Sequence, residues 1–258
     1  MDREVAGRSS AGVLLAAALV SFAGAAPAFE VFPIAGGGVL KWGDSVPGTP
    51  GGTVTWSLLP AGMPGDSAFC GTACPDTSRA TVQVEIAPGA GFRAMTLEAL
   101  LPEIEAALQA WSDATGLRFA RVADAARPIN HPAADRGDIR FGIFAFAAGG
   151  GAVGYAPPPN GGTGAGDVLL NANAFFQRAP GPEGDPYDRT FAPNDLVSLL
   201  VHEVGHAIGL DHPPVDGRCP VMQVDAACAG RINRALDPDD LAGARFLYGH
   251  LFGDGFER

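Results

Sequence analysis

Apolar and polar residues alternate along this chain in patterns that predict several strands and three helices. Thr53 to Leu58 (TVTWSL) alternates β-branched and aromatic residues with polar ones, as a half-buried strand does. From Ala80 to Ile86, Val82, Val84 and Ile86 fall on one side of a second extended segment, which reads as part of an inserted hairpin arm. Between Pro102 and Ala114 the period changes: Ile104, Ala107, Leu108 and Trp111 recur at helical spacing, with Pro102 suited to a first turn and Gly116 to a stop. Extended segments return at 138–144, 153–156 and 167–171, separated by glycine-rich turns. A second helix is predicted over 195–208, with Asn194 as its N-cap and Gly209 as the left-handed residue past its end. A third spans 238–247 and opens with Asp239 and Asp240, acids that suit the positive end of a helix dipole. The pattern is α+β: a sheet wrapped around one helix, then two more helices.

Composition narrows this picture. A chain of 258 residues with 47% hydrophobic content can bury one substantial core, and its 36 glycines and 22 prolines imply long surface connections. The formal charge of −11, with acids scattered rather than clustered, leaves no basic face for nucleic acid or an anionic membrane. Arg3 and Arg8 precede an apolar run from Ala11 to Ala26 that ends in small residues, so residues 1–28 read as a signal peptide cleaved after Ala28. The alternative is an uncleaved anchor, which Asp2 and Glu4 favour and the shortness of the run opposes. The expected mature protein is secreted or periplasmic, without stable membrane association. Four cysteines fall in two close pairs, Cys70 with Cys74 and Cys219 with Cys228, and export favours disulfides, although four cysteines permit three connectivities. A cysteine zinc site is the rival, without the spacing usual in zinc knuckles.

The chemistry concentrates in HEVGHAIGLDH, from His202 to His212. His202 and His206 stand four residues apart and project from one helical face, so both imidazoles can reach one metal ion. Gly209 lets the chain leave the helix sharply, so that His212 can swing back as a third ligand. Three imidazoles leave a zinc position open, and zinc lowers the pKa of water there toward roughly 7. Glu203, directly after a ligand, is placed to take that water's proton as general base and pass it to a leaving amine. His131 and His250 read as surface residues.

This pattern resembles that of the metzincin zinc peptidases, and every fixed position of H-E-x-x-H-x-x-G-x-x-H is matched. WGDSVPGTPGGTVTWSL, ALQAWSDATGLRF and DPDDLAGARFLYG further resemble matrixin segments. The resemblance implies a twisted, mixed five-stranded sheet with three helices, Met222 as the hydrophobic floor of a Met-turn beneath one catalytic zinc, and a shallow cleft. It also implies that an edge strand over 151–156, with Val153, Gly154, Tyr155 and Ala156, grips the substrate backbone. Animal matrixins hold a second, structural zinc partly through a His in this strand; Tyr155 takes that place here, so no second zinc is expected. Their calcium site uses acids where this chain has LNANAFF; Asn171, Asn173 and Ala174 replace carboxylates, and Asp167 alone makes a poor calcium site. Pro213 after the third His resembles the serralysin branch, but Val224 replaces its Met-turn Tyr, leaving that branch a more distant cousin. No propeptide with a cysteine switch fits before the first strand.

The expected organisation is a signal peptide (1–28), a short N-terminal segment (29–38), a catalytic domain (39–249) and a C-terminal tail (250–258). The expected activity is zinc-dependent hydrolysis of peptide bonds in a protein or peptide. Two alternatives stand beside it: a catalytically silent binding protein on the same scaffold, and a zinc hydrolase of a non-peptide substrate. Val221 and Val224, in a loop rebuilt around Cys219 and Cys228, are expected to line an apolar pocket or to form loop core. Oligomeric state is not legible.

Overall fold

The computed structural model describes residues 29–249, apart from Ala134 and Gly161. The predicted signal peptide and the C-terminal tail therefore lie outside the described residues. In chain order the elements are β1 (Glu30–Val31), β2 (Thr53–Leu58), α1 (Ser67–Cys70), β3 (Val82–Glu85), β4 (Phe92–Met95), α2 (Leu101–Thr115), β5 (Arg118–Arg121), β6 (Ile139–Phe144), β7 (Ala152–Gly154), β8 (Val168–Asn171), β9 (Phe175–Gln177), β10 (Asn194–Asp195), α3 (Leu196–Ala207), β11 (Leu210–Asp211) and α4 (Pro238–Tyr248).

The main sheet has five strands in the order β5-β2-β6-β8-β7. Four run parallel, and only β7, at one edge, is antiparallel to its neighbour β8. Both faces of the central strand β6 are covered, so all six of its residues are buried. One face meets the main core around Trp111, Ile143 and Leu200; the other meets a smaller cluster of Leu59, Cys74, Ile129, Phe144 and Leu169. The Cys70–Cys74 disulfide borders that smaller cluster, and Cys219 pairs with Cys228.

Helix α2 buries the predicted stripe of Ile104, Ala107, Leu108 and Trp111. It ends at Gly116, which adopts φ 72° and returns its N–H to the Ser112 carbonyl. Trp111 fixes α2 against α3 by donating its indole N–H to the Val201 carbonyl at 2.7 Å. Helix α3 begins one residue later than predicted. Its N-cap is Asp195, whose carboxylate accepts the Ser198 N–H, while Asn194 pairs with β9. Helix α4 starts with a capping box between Asp237 and Asp240.

The predicted arm is the antiparallel hairpin β3–β4, which β9 and β10 extend into a separate four-stranded sheet. The predicted edge strand is shorter than expected. Its regular pairing ends at Gly154 opposite Val168, because beyond it Gly166, at φ 85°, turns one N–H to both the Tyr155 and Ala156 carbonyls and breaks the ladder. Tyr155 and Ala156 thus lie beyond β7.

Candidate metal centre and cleft

One face of α3 faces the core through Leu196, Leu200, Val201 and Val204 and sets the opposite side toward a cleft. On that side the rings of His202 and His206 lie 4.8 Å apart, nearly perpendicular. The helix stops at Ile208, and Gly209 takes φ 112°. A side chain there would also collide with Leu40, whose carbonyl oxygen lies 2.2 Å from an added Cβ. The turn sends the chain into β11 and brings His212 back to the other two rings.

His212 Nε2 lies 3.1 Å from His202 Nε2 and 2.9 Å from His206 Nε2. The opposite ring nitrogens explain the orientation. His202 Nδ1 lies 2.7 Å from the Val221 carbonyl and His206 Nδ1 2.7 Å from that of Leu210. Carbonyls only accept, so both Nδ1 atoms carry the proton and each neutral ring turns an Nε2 lone pair toward the same point. Burial lowers the proton affinity of all three rings, and for His206, with repulsion from its neighbours, pushes the pKa down to about 3. Three converging lone pairs repel unless a cation lies between them, so this donor set fits zinc. Among the described residues, these are the only three or more His, Cys, Asp or Glu side chains whose ligand atoms converge, all within 4.8 Å.

Glu203 is buried beside the triad. Burial pushes its carboxyl up to about 7, partly offset by the Gly154 N–H, which donates to Oε2 at 2.6 Å. β7 approaches α3 so closely that a Cβ on Gly154 would lie 2.1 Å from the Glu203 carbonyl oxygen. Met222 is buried beneath the helix, its sulfur against Gly205. The Val221 and Met222 N–H groups donate to the two oxygens of Asp240 at 2.8 and 3.1 Å.

The structure thus brings together His202, Glu203, His206 and His212, with Met222 below and Val153 and Gly154 along the cleft. Tyr155 is separated from them: its ring packs on Phe69 at 4.9 Å and its hydroxyl donates to the Cys70 carbonyl. Three cleft residues were missed by sequence reasoning. Phe32 lies 5.9 Å from the His206 ring, Asp211 accepts the His212 N–H, and Asp240 fixes the Met-turn backbone. The Asp237/Asp240 spacing of a capping box marks a helix start but not the contact of Asp240 with the Val221 and Met222 backbone.

The calcium expectation meets a poor donor set. The Asn171 amide is spent on Phe146, Asn173 and Gly150, and the Asn173 side chain donates to the Phe146 carbonyl. Buried Asp167 accepts the Arg140 N–H and lies in the field of the Arg136 and Arg140 guanidiniums, which already supply positive charge. Among the described residues, no helix is long and apolar enough to cross a membrane.

Three converging histidine rings, on one helix and just past its end, above a buried methionine and beside a sheet edge, form the arrangement that the metzincin resemblance implied. The matrixin family model matches residues 81–249, and the chain belongs to that family. It is similar to macrophage metalloelastase of Oryctolagus cuniculus, with 29% identity over 146 residues, covering 57% of this chain and 28% of that protein. It is also similar to the hatching enzyme of Paracentrotus lividus, with 31% identity over 157 residues, covering 59% of this chain and 23% of that protein. The chain thus aligns with about a quarter of the length of these curated relatives.

Proposed function

We propose that this protein is a secreted zinc-dependent endopeptidase, with His202, His206 and His212 as metal ligands and Glu203 as general base. The observation that carries the reading is the convergence of three neutral imidazoles beside a buried carboxylate whose proton affinity suits reaction near neutral pH. A zinc ion at the triad supplies Lewis acidity to a scissile carbonyl and lowers the pKa of water. Glu203 accepts the proton of the attacking water and returns it to the departing amine. The Gly154 N–H holds the Glu203 carboxylate in place for both transfers. β7 pairs on one side only, with β8, so its outer edge can take a substrate strand by β-augmentation. Val153 and Gly154 belong to that edge, and Met222 forms the floor beneath the metal.

On the same reading the leader is removed after Ala28, a short segment over 29–38 precedes the catalytic domain over 39–249, and residues 250–258 form a tail. Two disulfides suit an oxidising compartment. The decisive experiment is hydrolysis of casein and of quenched fluorescent peptides by zinc-loaded protein, with and without chelator. Cleavage should vanish on chelation and in Glu203→Ala, while zinc content in that variant is kept. No cleavage by the zinc-loaded wild type, or cleavage that survives both treatments, overturns the proposal. A silent binding protein and a hydrolase of other substrates then become the readings to test.

A further inference from the structure

Beside the triad a second cavity of ≈ 340 Å³ opens between His202 and Glu203 and runs toward the loops over 187–193 and 223–231. Its apolar lining includes Val221 and Val224, the two valines expected there or in the loop core, and also Leu199. Its far wall is not apolar. Arg189 and Arg231 both line it, and neither guanidinium has a carboxylate partner among the described residues. Both are exposed side chains, and in a chain of formal charge −11 they give this one cavity two cations.

The wall that carries them is built by backbone pairing. Gly184 N–H donates to the Ile232 carbonyl, Ile232 N–H to Asp185, and Tyr187 N–H to Gly230, each at 2.8 to 2.9 Å. Pro186 and Arg231 form an antiparallel bridge within this ladder. The Arg189 stem packs on Gly230, and its Nε donates to the Pro193 carbonyl at 3.2 Å, which fixes the guanidinium and leaves its terminal amino groups free. The Cys219–Cys228 disulfide closes the adjoining loop. Of the carboxylates that line the cavity, Asp195 is committed to Arg234, Glu203 accepts the Gly154 N–H, and Asp225 accepts the Ala227 N–H and forms no ion pair with either arginine.

We infer that this cavity is a specificity pocket for an acidic side chain, with Arg189 and Arg231 as the residues that select it. The inference rests on the peptidase reading above. Glu203 returns a proton to the departing amine, so the residue bearing that amine lies against Glu203, where the cavity opens. A Glu at that position lays its methylenes along Leu199 and Val221 and its carboxylate between two guanidiniums, which bind carboxylates through charge-assisted, paired hydrogen bonds.

The test uses quenched fluorescent peptides that differ only in the residue after the scissile bond: Glu, Gln, Leu or Lys. For the zinc-loaded wild type we expect kcat/KM for Glu to exceed that for Gln by about tenfold, the size of one charge-assisted contact, with Lys lowest. The Glu-to-Gln ratio should fall to near one in the double variant Arg189→Gln, Arg231→Gln and be partly retained when both are changed to Lys. A wild type that prefers Gln or Leu to Glu, or a ratio unchanged in the double Gln variant, overturns the inference. If no peptide is cleaved, the peptidase reading fails, and fluorescence anisotropy decides the pocket separately. Tighter binding of the Glu than of the Gln peptide supports it, and equal binding overturns it.

Discussion

The two ends of helix α3 are secured by opposite means. At the N-terminus a buried charge does the work: Asp195 accepts from Ser198, from the Ala179 N–H and from Arg234, whose nitrogens approach to 2.8 and 2.6 Å. At the C-terminus the donors are neutral. The Trp42 indole N–H donates to the Ala207 carbonyl at 2.8 Å and the Tyr248 hydroxyl to the Ile208 carbonyl at 2.6 Å. The ionic end holds the helix in the fold, whereas the end held by neutral donors borders the three histidines. Damage at the first should therefore unfold the protein, and damage at the second should alter chemistry or metal binding first.

The largest expected effect lies between the two ends. Glu203→Gln should lower kcat/KM by about 10²- to 10⁴-fold, the usual worth of a general base, with an unchanged melting temperature and a full complement of zinc. A loss below tenfold would remove Glu203 from the mechanism. Next, Asp195→Ala should destabilise by about 3–5 kcal/mol in denaturant titration, because Arg234 loses its buried partner and the helix its cap. A cost under 1 kcal/mol would mean that the ionic end is not the anchor. Gly209→Ala should cost about 2–3 kcal/mol, through the positive φ and the Leu40 carbonyl, and weaken zinc affinity more than a core substitution of equal cost. Competition with a chromogenic chelator separates the two. Tyr248→Phe, at the neutral end, should cost only about 1 kcal/mol.

Acid sharpens the same contrast. Burial alone would push the Asp195 carboxyl up, but its hydrogen bonds with Arg234, Ser198 and Ala179 prevail and hold it below the ordinary carboxylate value. Its folded pKa is depressed, so its stabilisation is present above the unfolded value of about 3.9 and is lost as pH falls through the folded one. The melting temperature of metal-free protein should therefore fall more steeply below pH 4 in the wild type than in Asp195→Asn. Parallel curves would assign acid sensitivity elsewhere.

How much of this was legible depended on how local the cause was. His202, Glu203, His206 and the helix stripes follow from spacings within a single helix, and His212 from the glycine that ends α3. Both Asn194 and Asp195 pair with β9, and the helix starts after them with Asp195 as its cap, a boundary set by pairing outside the helix. The end of β7 at Gly154 was missed because it is set by the partner segment, where Gly166 breaks the regular ladder. The contacts of Phe32 and Asp240 with the cleft depend on the chain ends converging, and Arg189 and Arg231 meet only through a loop ladder. No local pattern encodes either.

Asp240 has a bearing on how the centre could be transplanted or trimmed. Its carboxylate accepts the Val221 and Met222 N–H groups, and the Val221 carbonyl in turn accepts a hydrogen bond from His202 Nδ1. The orientation of the His202 ring is therefore dictated through two hydrogen bonds by a helix that begins 36 residues downstream, at Pro238. A minimal fragment that carries the whole histidine motif but stops before α4 would keep all three histidines and lose the jig that aligns the first. Grafts of this site onto another scaffold should import the carboxylate along with the histidines.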